Sequence, residues 1–359
     1  VSTIVDTPEE AAALELAPLL VRRPLEAYLD AQGLGSGPVE AETVGEGHSN
    51  ITYVIRRHGG EWVLRRPPRP PLPPSAHDVL REARLLSAVQ EADVRTPRVL
   101  AACDDESVIG APFYVMEKVE GDVITGAIPE RLDAPDQRAR IGEELIDALV
   151  EIHAVDWQSA GLEGYGKPTG YLDRQVRRFS GLWEHNATRR VPEVEAATDW
   201  LRENLPESPP ATIVHGDYRL GNTMFGPGTP ARLVAIFDWE LATIGDPLAD
   251  LGYLTATYAQ PGDDAQPAGT TPIAALSGVT TAEGFPSRDD LIARYEERSG
   301  RSMSNLAWYQ TLALWKSAVF LEGSYKRLLA GTTDDPFFKL LDKGVPEIAR
   351  RALSIAHGD

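Results

Sequence analysis

Two aspartates and an asparagine stand in this chain at a spacing that suits phosphoryl transfer. Asp217 and Asn222 lie in Ile213-Val214-His215-Gly216-Asp217-Tyr218-Arg219-Leu220-Gly221-Asn222, and Asp238 lies in Ile236-Phe237-Asp238-Trp239, a short hairpin's length further on. Two apolar runs, Thr212 to Val214 and Leu233 to Phe237, lead into these segments. If the runs are adjacent strands, Asp217, Asn222 and Asp238 converge at one end of a ribbon. One carboxylate can then accept the proton of an attacking hydroxyl. The asparagine oxygen and the second carboxylate can hold the Mg²⁺ that neutralises phosphates.

The His-x-Asp-x₄-Asn spacing equals that of a kinase catalytic loop, with Asp238 where such loops are followed by a metal-binding aspartate. With Gly216 between His215 and Asp217, the segment resembles the signature of the aminoglycoside phosphotransferase and choline kinase family. The resemblance runs from about Gly45 to the end of the chain. It implies a kinase-like α+β fold with a small five-stranded antiparallel lobe and a larger, mainly helical one. It also implies ATP with Mg²⁺ and a small-molecule hydroxyl acceptor. His215 then has a structural role, and Asp246 and Asp250 resemble the family's Asp-Pro-x-x-Asp segment that braces the catalytic loop.

Bulk properties narrow the field. A chain of 359 residues is long enough for two lobes or domains. Hydrophobic content of 42% and charged content of 25% are ordinary for a soluble globular protein, and no apolar run approaches membrane-spanning length. Asp6, Glu9, Glu10 and Glu15 near the start are the opposite of a signal peptide's basic region. One cysteine, Cys103, precludes an intramolecular disulfide and suits a reducing cytoplasm. The net charge of −19 speaks against nucleic acid and anionic membrane as partners. It suits a cationic substrate such as an aminoglycoside, although solubility alone explains it.

Three regions are expected: an N-terminal helical extension over residues 1–38, a nucleotide-binding lobe over 39–119 and a catalytic lobe over 120–359. The extension reads as helical from Pro8 to Gln32, broken at Pro18 and Pro24 and packed outside the catalytic unit. Strands are expected at Ala41 to Gly45, Asn50 to Arg57, Glu61 to Arg66, Arg98 to Ala102 and Phe113 to Val119. The proline-dense run Pro67 to Pro74 reads as a stiff spacer. Ser75 is expected to cap the following helix, with Asp78 at the capping-box position. Pro135 to Ala154 is a clear amphipathic helix, and Asp246-Pro247 opens another through Tyr258. Gln260 to Ser287 has no stable period and reads as a long loop.

Further pieces fall in the order the resemblance implies. Gly45-Glu46-Gly47-His48-Ser49-Asn50 lies between two expected strands, where Gly45 and Gly47 let backbone N–H groups approach phosphates and Ser49 and Asn50 add polar side chains. The third strand, Trp62 to Arg66, offers arginine where the family usually has lysine. By alternation Arg65 shares a face with Val63, whose small apolar side chain suits adenine, so Arg65 is chosen over Arg66. Glu82 falls on the inward stripe of Val79, Leu86 and Val89 and needs a cationic partner, which Arg65 supplies. The strand from Phe113 resembles the one leading out of the small lobe, where the Glu117 carbonyl and the Val119 N–H would read adenine.

Only seven residues separate Asp238 from Asp246, too few for a peptide-docking activation segment, which favours a small alcohol as acceptor. Trp308, Leu312, Trp315 and Val319 form a helical stripe that Glu322 continues. Arg174, Arg177 and Arg178 make a basic patch that resembles a segment of the family branch fused to acyl-CoA dehydrogenases in animals. Together these readings give an ATP-dependent phosphotransferase with Asp217 as base or hydroxyl-positioner, Asn222 and Asp238 as Mg²⁺ ligands, and Arg65 with Glu82 as phosphate clamp. The patch and Arg65 favour an anionic acceptor such as a hydroxyacyl compound over an aminoglycoside. A nucleotide-binding pseudokinase acting through partners is the alternative that Arg65 keeps open.

Overall fold

The computed structural model describes residues 4–44, 50–72, 77–263, 278–333 and 336–358, and the chain divides into two compact units, Val1–Glu120 and Gly121–Asp359. The first opens with β1 (Ile4–Val5), α1 (Pro8–Ala12), β2 (Leu20–Val21) and α2 (Arg22–Ala31). A five-stranded antiparallel sheet follows, formed by β3 (Ser36–Val44), β4 (Ile51–His58), β5 (Gly60–Arg66), β6 (Val99–Cys103) and β7 (Phe113–Glu117), in the order β3-β4-β5-β7-β6. Helix α3 (Val79–Gln90) packs on β6 and β7.

The residues expected to lie outside this unit belong to its core. Leu19 and Leu20, with Leu25 and Leu29 of α2, are buried with Tyr53, Ile55, Leu64, Phe113 and Val115 from one face of the sheet. An isolated amphipathic helix of ten residues is marginal in water, so α2 depends on this apolar surface. Pro24 does not break α2. It sits in the first turn, where its missing N–H leaves no hydrogen bond unmade. The expected Ser75 cap lies outside the described residues. Asp78 itself caps α3, its side chain accepting from the Arg81 N–H at 2.9 Å, so it is the cap and not the third helical position.

The second unit holds β8 (Asp122–Val123), α4 (Pro135–Ala154), α5 (Tyr171–Asn186), α6 (Pro192–Glu203), β9 (Thr212–Val214), β10 (Thr223–Phe225), β11 (Leu233–Ile236), β12 (Thr243–Gly245) and α7 (Leu248–Thr257). It ends with α8 (Arg288–Ser299), α9 (Leu306–Leu329), α10 (Pro336–Lys339) and α11 (Leu341–His357). Of the expected loop, residues 264–277 lie outside the described residues, and Ser287 closes it with a reciprocal capping box to Asp290. Ile141, Leu145, Ala148 and Ile152, the expected inner face of α4, are fully buried. Among the described residues no helix is long and apolar enough to cross a membrane.

The expected pairing of the two apolar runs is wrong. Strand β9 pairs with β12, and β11 pairs with β10, so the runs are not neighbours. The reason is economy of chain: a tight connection lets Thr223–Phe225 turn straight back onto Leu233–Ile236, leaving β9 to Thr243–Gly245. Convergence arises in another way. Residues 215–222 cross from β9 to β10, and residues 237–242 cross from β11 to β12. The two crossings join the same two ladders and must therefore run side by side.

Candidate active site

The 215–222 crossing is held mainly through its backbone. The His215 and Gly216 N–H groups donate to the two carboxylate oxygens of Asp250, at 2.7 and 2.8 Å. Asp250 stands in the first turn of α7, and its remaining bond is to His153 Nε2 of α4 at 3.2 Å. Burial pushes the Asp250 carboxyl up, but hydrogen bonds from His153 and Gly216 outweigh it, and the group lies below the usual carboxylate range. Burial holds the His153 imidazole down and neutral. Its Nδ1 is bonded to the Tyr295 hydroxyl at 2.7 Å.

His215 is fully buried and both ring nitrogens are engaged. Nδ1 accepts from the Asp217 N–H at 3.2 Å, which leaves Nε2 to donate to the Phe237 carbonyl at 2.8 Å. The ring thus ties one crossing to the other, and it packs on Trp239 with centroids 4.7 Å apart. This is a structural histidine by geometry, with no nitrogen left for a proton from substrate. Gly216 has φ of 89°, and a Cβ there would lie 2.9 Å from the Leu241 carbonyl oxygen, so the close approach of the crossings requires glycine.

The three chemistry-bearing residues follow. Asn222 Nδ2 donates to both the Asp217 carbonyl and its carboxylate Oδ2, each at 2.8 Å, while the Asn222 carbonyl accepts from the Phe237 N–H at 2.8 Å. Asp238, next in the chain, has φ of 64° and ψ of 56°, a left-handed conformation that non-glycine residues seldom adopt and that clusters at functional sites. Asn222 is thereby bonded to Asp217 through its side chain and, through its carbonyl, to the residue just before Asp238. With Nδ2 committed to Asp217, the Asn222 amide turns Oδ1 to its other side. That oxygen and the Asp238 carboxylate are hard donors of the kind Mg²⁺ takes. Among the described residues no group of three or more His, Cys, Asp or Glu could hold a metal by itself. A site of two protein oxygens fits a cation that completes its shell with water and nucleotide phosphates.

Two neighbours of Asp217 escaped the sequence reading. Arg219 Nε stands 3.7 Å from Asp217 Oδ2, and its guanidinium lies where a Cβ on Gly221 would be. The Tyr253 phenol, on α7, is pushed far up by burial and by the negative charge of Asp217. Neither carries a spacing signal, although Arg219 lies within the motif. Asp246 accepts from the Leu248 N–H at 3.0 Å and the Tyr309 hydroxyl at 2.8 Å, so it ties the start of α7 to α9.

In the first unit, Arg65 Nε donates to Glu82 Oε2 at 3.0 Å, and the Glu82 side chain is only 2% exposed. Cross-strand pairs place Val63 opposite Val54 and Met116, and Arg65 opposite Thr52 and Tyr114. Arg66 is on the opposite face, buried, and bonds the carbonyls of Leu19, Pro67 and Ile109. Burial without a carboxylate pushes its guanidinium down to about 10. Gly45, Gly47 and Ser49 lie outside the described residues. Asn50 is buried, with Oδ1 3.2 Å from His77 Nδ1. Strand β7 ends at Glu117, whose Oε1 accepts from the Arg98 N–H, so Val119 lies beyond the strand and not within it.

The expected acceptor elements divide. Trp308, Leu312, Trp315 and Val319 are core residues of α9, and Glu322 is fully buried, accepting from the Thr188 N–H and hydroxyl at 3.2 and 2.6 Å. The three patch arginines do not act together. Arg174 caps the carbonyls of Lys167 and Thr169, and Arg177 pairs with Asp173 at 2.5 Å in solvent. Arg178 instead lies over the Phe179 ring.

Comparison with known proteins bears on the family and the fold. Residues 40–285 match the model of the phosphotransferase enzyme family. Acyl-CoA dehydrogenase family member 10 of Mus musculus is 36% identical over 316 residues, covering 86% of this chain and 28% of that protein. The chain spans less than half the length of such relatives. A crystal structure from Ralstonia eutropha JMP134, provisionally described as an aminoglycoside phosphotransferase, is 31% identical with a TM-score of 0.79, covering 93% of this chain and 98% of that one. Choline kinase of Cryptosporidium parvum, 11% identical, shares the fold with a TM-score of 0.60 over 89% of this chain and 91% of its own. The fold is the kinase-like α+β fold expected from sequence, and the chain belongs to the phosphotransferase enzyme family.

Proposed function

We propose that the protein transfers the γ-phosphoryl group of ATP to a hydroxyl of a small, anionic molecule such as a hydroxyacyl compound. The observation that carries this reading is the bond from Asn222 Nδ2 to Asp217 Oδ2 at 2.8 Å, which fixes the carboxylate and turns the Asn222 amide oxygen away from it. Asp217 positions the acceptor hydroxyl and takes its proton as the oxygen attacks phosphorus. Asn222 and Asp238 would hold Mg²⁺, which when bound neutralises charge on the phosphates. Arg65, steadied by Glu82, meets the nucleotide phosphates with a planar guanidinium. The loop Gly45 to Asn50 covers the nucleotide, and the Glu117 carbonyl and Val119 N–H read adenine. Residues 39–119 thus serve the nucleotide and 120–359 the acceptor, in the cytoplasm where ATP is abundant.

The acyl-CoA dehydrogenase names of the curated relatives support an acyl-linked acceptor. An aminoglycoside needs several carboxylates, because each ammonium left unpaired in a dry pocket is costly. Glu322, the one carboxylate sequence offered, is spent on Thr188 and Arg189. The second reading, a nucleotide-binding pseudokinase, is favoured only by Arg65 standing where lysine is usual. A transfer screen with γ-labelled ATP over hydroxylated carboxylic acids, their thioesters and aminoglycosides decides between them. Label on a hydroxy acid or thioester supports the proposal, label on an aminoglycoside overturns the acceptor, and nucleotide binding with no transfer favours the pseudokinase.

A further inference from the structure

Lysine is scarce in this chain: of the 35 basic residues, 29 are arginine and six are lysine. Lys316 is the one lysine in the middle of α9, half-buried, with its ammonium over the Phe179 ring of α5 at 4.8 Å from the centroid. The Arg178 guanidinium lies 5.9 Å from the centre of the same ring. Each cation gains from the ring's π face, but the ring carries no counter-charge. Among the described residues neither cation forms an ion pair with a carboxylate.

The charged groups that act on Lys316 come from three elements: Arg178 of α5, Asp250 of α7 and Asp217 of the catalytic loop. Burial first, and Arg178 second, push its ammonium down to about 8, against the attraction of the two carboxylates. Asp250 has its oxygens filled by His153, His215 and Gly216, and Asp217 by Asn222 and Arg219. Lys316, half-buried on the ring beside the exposed Arg178, close enough to Asp217 to feel its charge and without a carboxylate bonded to it, is a cation that an anion from outside can pair.

We propose that Lys316 and Arg178, seated on Phe179, form the subsite that binds the anionic group of the acceptor while Asp217 engages its hydroxyl. This rests on the phosphotransfer reading and adds residues that determine specificity. Lysine suits the role because a compact ammonium with three donors adapts to a carboxylate or a phosphate, whereas arginine's fork fixes one geometry. The same pair repels a polycation, which sets the local field against an aminoglycoside despite the acidity of the whole chain.

The test titrates the lysines directly. Trace labelling of the full chain with fluorodinitrobenzene, read by mass spectrometry across neutral to alkaline pH, gives each lysine a midpoint. Lys316 is expected near 8. A short hydroxy carboxylate, or glycerol phosphate in a second arm, raises that midpoint because a neighbouring anion favours the ammonium. The matched hydroxy amide, or glycerol, does not. In transfer assays Lys316→Met raises KM for the anionic acceptor by about tenfold or more and erases its preference over the amide, while Lys316→Arg restores part of it. A midpoint that no anion moves, or that the amide moves equally, overturns the subsite, as does an intact preference in Lys316→Met. If anions move the midpoint but no hydroxyl is ever phosphorylated, the subsite stands and the phosphotransfer reading falls.

Discussion

Asp217 and Arg65 carry the two halves of the proposed chemistry, and they are held in different ways. The segment bearing Asp217 is fixed by Asp250 on two backbone N–H groups, by His215 reaching the neighbouring crossing, and by Asn222 on the carboxylate itself. Arg65 is bonded to Glu82 at 3.0 Å and, at 3.4 Å, to Thr52. A catalytic carboxylate must meet a hydroxyl at a defined point, which rewards redundant anchoring. A phosphate clamp meets a diffuse charge and tolerates looser placement. Substitutions near Asp217 should therefore act on rate, and those near Arg65 on both rate and nucleotide affinity.

The largest effect is expected at Asp217. Asp217→Ala should lower transfer ~10²–10⁴-fold, the range for loss of a general base or positioning group, with nucleotide affinity nearly intact. Comparable activity in the mutant, measured with the acceptor found by the screen, would remove Asp217 from the mechanism.

Next comes the pair of hard donors. Asp238→Ala removes an anionic ligand and should weaken nucleotide binding in Mg²⁺ while leaving binding in chelator unchanged. Asn222→Ala removes a neutral oxygen and should weaken it less. It also frees the Asp217 carboxylate, so kcat should fall more than affinity. Calorimetry with and without Mg²⁺ separates the two, and an unchanged metal dependence in Asp238→Ala would refute the assignment.

The two adjacent arginines give a sharper contrast. Arg65→Ala should lose about 10²-fold in transfer, as removal of one electrostatic stabiliser does, and should also lower Tm, because it takes the guanidinium from the buried Glu82 carboxylate. Arg66→Ala should lower Tm but leave transfer by the folded protein nearly intact. Its bonds to three carbonyls are structural, and each charged hydrogen bond contributes roughly 1.5–3 kcal/mol, so Tm should drop by several degrees. Thermal melts beside transfer assays decide it. If Arg66→Ala proves the catalytically worse variant at a temperature where both are folded, the strand phase has been assigned to the wrong role.

The same contrast shows what sequence could carry. Arg65 and Arg66 were separable because alternation along a strand is strict and Glu82 lay on an inward helical stripe. Asp217, Asn222 and Asp238 were legible because their spacing is local. The pairing of the strands beside them was not, since Thr223–Phe225 and Thr243–Gly245 are three residues each, too short to show a period. The convergence was expected for the wrong reason and arises from two crossings instead. Ser75 and Asp78 were both competent caps, and propensity alone could not rank them. Leu25 and Leu29 marked an apolar face on α2, but nothing local said that the five-stranded sheet would cover it. Lys316 left no trace in sequence: its meaning comes from Phe179, 137 positions away and brought beside it only by helix packing.

The smallest expected effect tests the deepest anchor of the catalytic segment. His153 sits behind Asp250, bonded to Tyr295, and burial holds its imidazole below the ordinary 6.5. An unfolded chain takes up a proton at that histidine below about pH 6.5, whereas the fold excludes it. The unfolded state therefore binds more protons in this window, so stability is full above 6.5 and falls as pH drops below it. The loss is about 1.4 kcal/mol per pH unit at most while the folded site stays neutral. Asp250 has the same sign, but its ordinary value of 3.8 places its window lower, so the two do not overlap near pH 6. His153→Gln retains a donor for Asp250 and an acceptor for Tyr295 but cannot titrate. It should cost some stability at neutral pH and flatten the decline between about pH 6.5 and 5. Urea unfolding at a series of pH values measures both slopes. Equal slopes in the two proteins would mean that His153 is protonated in the fold, and that the carboxylate holding the catalytic segment is paired with a charge and not with a neutral ring.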